Sequence, residues 1–138
     1  MKNIILLLTA LALMPFSGIA ADTNLNQSIT VERPLDDVIG AMQTYYYNTN
    51  YHGYAYAVYS TNAVPGISYT MGLADCAFHP SIGGLFGEMV ASRVATNSTR
   101  LELIVKNEVP KNAATAAALK QAISRMLERI AKIAENKR

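Results

Sequence analysis

Residues 112–136 read NAATAAALKQAISRMLERIAKIAEN, and their apolar side chains follow a helical repeat. The largest recur at intervals of four, three, four and three residues, which places them on one helix face: Leu119, Ile123, Met126, Ile130 and Ile133. The stripe is widened by Ala116, Ala122, Leu127 and Ala134. The opposite face takes charged residues such as Arg125 and Glu128. Because so wide a stripe must cover an apolar surface, the stretch predicts a long C-terminal helix lying across a sheet.

One strand and one shorter helix are predicted near the beginning of the chain. Ser28–Glu32 alternates apolar and polar residues, as a half-buried strand does. Pro34 stands where a helix can begin, because its missing N–H would have no partner in the first turn. An apolar face then follows at helical spacing and predicts a helix from Pro34 to about Tyr47: Leu35, Val38, Ile39, Met42 and Tyr46.

Several antiparallel strands are predicted between the two helices. Strands are expected at Tyr54–Ser60 and Ile67–Leu73, with a turn over Thr61–Gly66 between them and irregular chain over Asp75–Gly84. Leu85–Ala95 and Arg100–Lys106 read as a hairpin with the four-residue loop Thr96–Thr99. The fold class that follows is α+β, with two layers, an antiparallel sheet of about four to six strands and the order β-α-β-β-β-β-α.

The first twenty residues have the layout of a secretory signal peptide. A basic start at Lys2 precedes an apolar run over Ile4–Phe16 and the small residues Gly18-Ile19-Ala20. The run is short for a membrane anchor, so we expect cleavage after Ala20 and no membrane span in the remaining chain. The expected organisation is a signal peptide over 1–20, a flexible leader over 21–27 and a single domain over 28–138. The expected location is the periplasm or the exterior of a bacterial cell.

Charge is unevenly distributed along the chain, although the net charge is only +2. Lys111–Arg138 holds seven basic and two acidic residues, whereas 21–110 holds four basic and eight acidic ones. Basic residues late in a helix complement its dipole, and they can also form a surface for an acidic partner or an anionic lipid. The net charge is too small to favour nucleic acid as a partner.

Two groups of residues draw attention as candidates for binding or chemistry. All eight tyrosines lie between Tyr45 and Tyr69, which indicates an aromatic lining or tyrosine-rich packing. Asp75, Cys76 and His79 bring a carboxylate, a thiol and an imidazole close together in the chain. Cys76 is the only cysteine, which rules out a disulfide within the chain. The sequence has no G-x-S-x-G, phosphate-loop, dinucleotide or H-E-x-x-H motif, and no catalytic residue, metal site or cofactor is predicted.

The layout resembles the helix-grip domains of the START and Bet v 1 superfamily. The similar features are the strand Ser28–Glu32, the helix start at Pro34–Val38, the late strand with Thr99–Leu103, and the final helix. The resemblance implies a site for a small apolar molecule or lipid between the sheet and the C-terminal helix. The residues expected to line it are Tyr54, Tyr56, Tyr69, Met71, Leu119, Ile123, Met126 and Ile130.

Three functions follow from these observations. The leading hypothesis is an exported, non-enzymatic domain that binds a small apolar ligand or lipid. An alternative is a structural or protein-interaction module with no ligand cavity, in which the 4-3-4-3 spacing could pair two copies as a homodimer. A further alternative is a thiol-dependent enzyme that uses Cys76 and His79.

Overall fold

A computed structural model describes residues 24–48, 57–79 and 83–137, apart from the side chains of Cys76, Ala77 and His79. Five strands and two helices follow one another in the predicted order. They are β1 (Gln27–Val31), α1 (Leu35–Tyr47), β2 (Val58–Val64), β3 (Ser68–His79), β4 (Gly83–Ala95), β5 (Ser98–Val105) and α2 (Ala113–Glu135). The predicted α+β class, with its C-terminal helix and antiparallel sheet, is confirmed.

The five strands form one antiparallel sheet in the order β1-β5-β4-β3-β2. Strands β2 to β5 therefore lie side by side in the order of the chain, and β1 pairs with the free edge of β5. Gln27 pairs with Leu103 and Val31 with Thr99, so the beginning of the domain lies beside its last strand. β2 forms the opposite edge, and its residues from Tyr59 to Val64 are exposed.

Both helices pack on the same face of the sheet, here called the inner face. Alternate residues of β3, β4 and β5 point into it and are buried: Tyr69, Met71, Leu73, Leu85, Met89, Ala91, Leu101 and Leu103. The stripe of α2 meets them directly, since Leu119, Ile123, Leu127 and Ile130 are fully buried in the same core. Burial of each of these large side chains contributes about 1.5–3 kcal/mol to folding before entropy is counted.

The other face of the sheet, here called the outer face, carries polar and exposed residues. Lys106 Nζ lies 3.0 Å from Glu88 Oε1, and Arg100 lies 3.2 Å from Glu102. Phe86 and Tyr59 also stand on this face, with 48% and 63% of their side chains exposed. The alternation of inner and outer residues explains why β4 and β5 could be recognised from sequence.

The boundaries of the middle strands differ from the prediction. β2 continues to Val64, so the predicted turn over Thr61–Gly66 is wrong for its first four residues; Thr61 and Ala63 pair with Met71 and Tyr69. The turn itself is shorter, with the Ile67 N–H donating to the Val64 carbonyl at 3.0 Å. Ile67, expected on the buried side of a strand, lies in this turn and is 62% exposed.

β3 and the β4–β5 connection show two more differences. β3 runs to His79 through chain that was expected to be irregular. Pairing with β4 sustains it, because Ala74 faces Phe86 and Asp75 faces Leu85. The loop between β4 and β5 has two residues instead of four, since Ala95 pairs with Ser98. Small and polar residues in these segments obscured strands that cross-strand pairing stabilises.

Hydrogen bonds define both ends of α2. At its beginning, the side chain of Asn112 caps the helix by accepting hydrogen bonds from the N–H groups of Ala114 and Thr115. At its end, the Arg33 guanidinium donates to the carbonyls of Ala134, Glu135 and Lys137. These contacts tie the segment after β1 to the last turn of the chain's final helix.

Candidate ligand-binding site

Six of the eight predicted site residues are buried in the core between the sheet and the helices. Tyr69 and Met71 are on the inner face of β3, and the others are on the buried stripe of the helix: Leu119, Ile123, Met126 and Ile130. All six belong to one packed cluster and are at most 8% exposed. Tyr54 and Tyr56 lie outside the described residues. The helix stripe and the sheet residues thus belong to one packed core, and a role of the six in binding stays a prediction.

A groove of about 320 Å³ opens beside this core, along one flank of α2. Phe78, near the end of β3, forms the sheet side of the groove. The helix side and rim are formed by Ala118, Gln121, Ala122, Arg125, Met126 and Arg129. Of the six predicted site residues that the structure describes, Met126 is the one that reaches this groove. It is 3% exposed, so the groove borders the core without entering it. We call it the α2–β3 groove.

The helical repeat explains why a groove forms here. Ala118, Ala122, Arg125 and Arg129 follow one another at intervals of four, three and four residues and share one flank of α2. The two alanines are too small to fill the space between helix and Phe78. The two arginines are exposed at its rim. The groove thus combines apolar side chains with the polar groups of Gln121, Arg125 and Arg129.

The arginine side of the groove is linked to a buried polar group. Tyr45, on the last turns of α1, lies near both Arg129 and Asp75, which act on the pKa of its phenol in opposite directions. Asp75 lies on the inner face of β3 and is 3% exposed. Burial raises the pKa of Tyr45 above its ordinary value; Arg129 opposes this rise, and Asp75 adds to it. The carboxyl group of Asp75, the phenol of Tyr45 and the guanidinium of Arg129 thus form a series from the core to the rim of the groove.

Tyr46 supports the base of the groove from below. Its hydroxyl donates a hydrogen bond to Sδ of Met126 at 3.0 Å. Its ring meets that of Tyr45 edge-on, with 5.0 Å between ring centroids and 80° between planes. Complete burial raises the pKa of Tyr46 well above 10, and the nearby Tyr45 and Asp75 raise it further. Tyr46 is therefore a neutral, fixed support for Met126 at ordinary pH.

Sequence reasoning missed most of the residues that form the groove. Arg125 was assigned to the solvated face of the helix, and Asp75 was considered only together with Cys76 and His79. The spacing of Ala118, Ala122, Arg125 and Arg129 was a usable signal, because it marks a flank where small residues precede cations. Its significance depended on Phe78, whose strand was not predicted to extend that far.

The thiol-dependent alternative is not tested by the structure. Cys76 and His79 stand on β3, but their side chains are outside the described part of the chain. Within the described residues, no three His, Cys, Asp or Glu side chains lie close enough to hold a metal ion. None of the helices in the described ranges combines the length and apolar character that crossing a membrane requires.

Comparison with known proteins gives information about the fold. No protein-family model and no curated protein matches the sequence. The chain is similar to a TBP-like protein from Parabacteroides distasonis, with a TM-score of 0.54 and 9% identity over 85% of this chain and 96% of the other. A likeness at this identity extends to the fold alone.

Two other solved structures resemble the chain more loosely. One is a START superfamily protein from Mycobacterium smegmatis, at a TM-score of 0.34 and 14% identity over 80% of this chain and 92% of that one. The other is the Zhui aromatase/cyclase from Streptomyces sp. R1128, at a TM-score of 0.38 and 14% identity over the same shares of the two chains. The helix-grip arrangement expected from the order of elements is present: a long C-terminal helix lies across an antiparallel sheet.

Proposed function

We propose that this protein is an exported, non-enzymatic domain that binds a small molecule with an apolar part in the α2–β3 groove. The observation that supports the proposal is the groove itself, which joins an apolar base to a polar rim at the seam between helix and sheet. Ligand sites commonly combine these two features. The packed core beneath α2 favours a site at the flank of the helix over one inside the core.

The groove's base suits an alkyl or aromatic group. Phe78 is half-buried and packs against the core, so its ring is held in position as one wall. Met126 is held by Tyr46, and its thioether is a polarisable surface that adapts to the shape of a guest. Ala118 and Ala122 leave the space that the guest would occupy.

Filling the groove tests the proposal. In the Ala118→Leu variant the larger side chain should occupy the groove and prevent binding of dodecanoate and dodecanol. A ligand present at 100 times its Kd stabilises a protein by about 2.7 kcal/mol. We expect a thermal shift of the unmodified protein with at least one of the two compounds, and its loss in Ala118→Leu.

Ala117→Leu is the matched control, because Ala117 is an exposed neighbour on another face of the same helix. Alanine and leucine have similar helix propensities, so both variants should fold. Native mass spectrometry of the gently purified protein is a second test, because it shows whether a ligand is bound to the protein. A protein that carries no ligand and shows no thermal shift with either compound would contradict the proposed function.

Export is the second part of the proposal and has its own test. Expressed with its first twenty residues in a bacterial host, the protein should appear in the periplasm or the medium. Intact-mass measurement should show a chain beginning at Ala21. A product retained in the cytoplasm at full length would exclude export by this signal.

A further inference from the structure

We propose that the α2–β3 groove selects amphiphiles with an anionic head group, a phosphate or carboxylate, and that Arg125 and Arg129 hold this group. The inference rests on the proposed function, since it assigns the apolar part of the ligand to the same groove. The side chains of Arg125 and Arg129 place positive charge at one end of the groove. A ligand lying along the helix would have its head group there. The inference adds the chemical class of the ligand and the residues that determine the class.

The flank of α2 that borders the groove is cationic. Arg125 and Arg129 are four residues apart, so their side chains emerge one above the other on the same face. Glu128 stands three residues after Arg125, at a spacing where helix side chains are neighbours. Among the described residues, however, the ion pairs include neither Arg125 nor Arg129. Two guanidinium groups in this arrangement can bind the oxygens of one phosphate or carboxylate.

Arg129 is positioned before any ligand arrives. Its guanidinium lies close enough to the phenol of Tyr45 to lower the pKa of that phenol, and Tyr45 is 7% exposed and held in the core. Asp75 lies near the same phenol and places a negative charge beneath it. A side chain fixed in this way loses less entropy when it binds than a free surface arginine would. Tyr45 is thus a positioning residue for the proposed head-group site.

The apolar base continues from the arginines toward the beginning of the helix. From Ala118 to Arg129 the flank is roughly 16 Å long, at 1.5 Å per residue. Phe78 and Met126 line this strip together with the two alanines. A single alkyl chain laid along it would place its head at the arginines. A free inorganic anion would use the rim and leave the base empty, so the two kinds of ligand are distinguishable.

The experiment compares four probes by isothermal titration, each below the concentration at which it forms micelles. Dodecyl phosphate carries an anionic head, dodecanol a neutral one and dodecyltrimethylammonium a cationic one, while inorganic phosphate has no tail. We expect dodecyl phosphate to bind at least about ten-fold more tightly than dodecanol, because its head group can accept charge-assisted hydrogen bonds from the arginines. Inorganic phosphate and the cationic probe should bind more weakly still.

Three variants assign the effect to residues. Arg125→Gln should reduce the preference for dodecyl phosphate over dodecanol about ten-fold, with dodecanol binding unchanged. Tyr45→Phe should reduce the same preference while leaving dodecanol binding in place, a result that general destabilisation would not produce. Arg100→Gln is the charge-matched control, because Arg100 stands on the outer face beside Glu102 and should leave the preference intact.

The outcomes separate the two proposals. Equal binding of dodecanol and dodecyl phosphate, unaffected by Arg125→Gln, would overturn the head-group inference and leave the proposed function standing. Equal binding of inorganic phosphate and dodecyl phosphate would overturn both in favour of a simple anion site. Failure of every alkyl probe to bind would overturn the proposed function. A preference for dodecyl phosphate that Arg125→Gln removes and Arg100→Gln keeps would support the inference.

Discussion

Three consecutive tyrosines show how strongly position on a helix determines the environment of a residue. Tyr46 is completely buried, Tyr45 is 7% exposed and Tyr47 is 48% exposed, although all three stand in the last turns of α1. A rotation of about 100° per residue accounts for the difference. Tyr46 therefore supports the core, Tyr45 connects it to Arg129, and Tyr47 reaches solvent.

The buried phenol of Tyr46 predicts loss of stability in alkaline solution. Its pKa is raised by burial, so the folded protein keeps the proton while the unfolded chain releases it near pH 10. The free energy of unfolding should therefore be fully present below about pH 10 and fall as the pH rises above it. Urea titrations at pH 8 and about pH 11 should show a smaller fall in Tyr46→Phe than in the unmodified protein.

The comparison between variants isolates this residue from other groups. Lys106, whose pKa is raised by its hydrogen bond to Glu88, acts in the same direction in every variant. Tyr59→Phe is the control, because Tyr59 is 63% exposed. If the two variants lost stability equally between the two pH values, the role assigned to the buried phenol would be wrong.

Single side chains were the least predictable level of the candidate site. The tyrosine cluster was recognised as unusual, but residue counts could not tell which rings lie in the core. Arg125 and Arg129 looked like ordinary helix-surface cations, because nothing near them in sequence indicates Phe78 on the facing strand. Contacts between residues far apart in the chain create the groove. Composition and spacing could therefore indicate its helix side but not Phe78 on its sheet side.

At the scale of elements, Arg33 connects the segment after β1 with the end of α2. These two parts of the fold are far apart in the chain. The Arg33 guanidinium donates to three carbonyls at the end of α2, where the helix dipole also favours a cation. The predicted limits of α2 were accurate because caps and repeat agreed. This second attachment was not predicted, since no local pattern pairs residue 33 with residues 134–137.

Removal of the Arg33 guanidinium should destabilise the domain measurably. Arg33→Ala should lower the free energy of unfolding by about 1.5–3 kcal/mol, the range for hydrogen bonds to charged groups. Arg33→Lys should recover only part of this, because an ammonium group lacks the planar fork that reaches several carbonyls. Chemical denaturation measures both changes.

Arg100→Ala is the comparison for Arg33, since it removes an exposed arginine from a surface ion pair. Such a pair contributes about 0–1 kcal/mol. Equal costs for Arg33→Ala and Arg100→Ala would show that the carbonyl contacts of Arg33 do not stabilise α2.

At the scale of the whole molecule, the buried stripe of α2 decides between packing within a chain and pairing of two chains. Ile130 is fully buried against the sheet of its own chain. Ile130→Asp should therefore unfold the protein instead of separating a dimer, with a cost of more than about 4 kcal/mol. Circular dichroism together with light scattering after size exclusion distinguishes the two results.

Lys132→Asp is the control for this variant, because it places the same carboxylate at an exposed position two residues further along the helix. It should cost no more than about 1 kcal/mol. A folded Ile130→Asp protein that elutes at a smaller size than the unmodified protein would restore the dimer alternative for this stripe.

The overall architecture was predictable because its signals are periodic. The stripe of α2, the alternation in β5 and the apolar face of α1 each agree with the observed element. The boundaries of β2 and β3 were not predictable, since Thr61–Val64 and the chain after Asp75 become strands only through pairing with neighbours. The face of the sheet that α2 covers was predictable from these patterns. The groove at the flank of α2 was not, because it forms only in the assembled fold.

The pairing of β1 with β5 has a consequence for how the chain acquires its structure. The contact between Arg33 and Ala134 spans 101 positions, and β1 has its partner only after β5 has been made. The part of the inner face that α2 covers stays exposed until α2 has been made, so the fold cannot be completed before then and forms at the modest rate of long-range topologies. A chain stopped before Ala113 would leave the sheet residues beneath α2 in water.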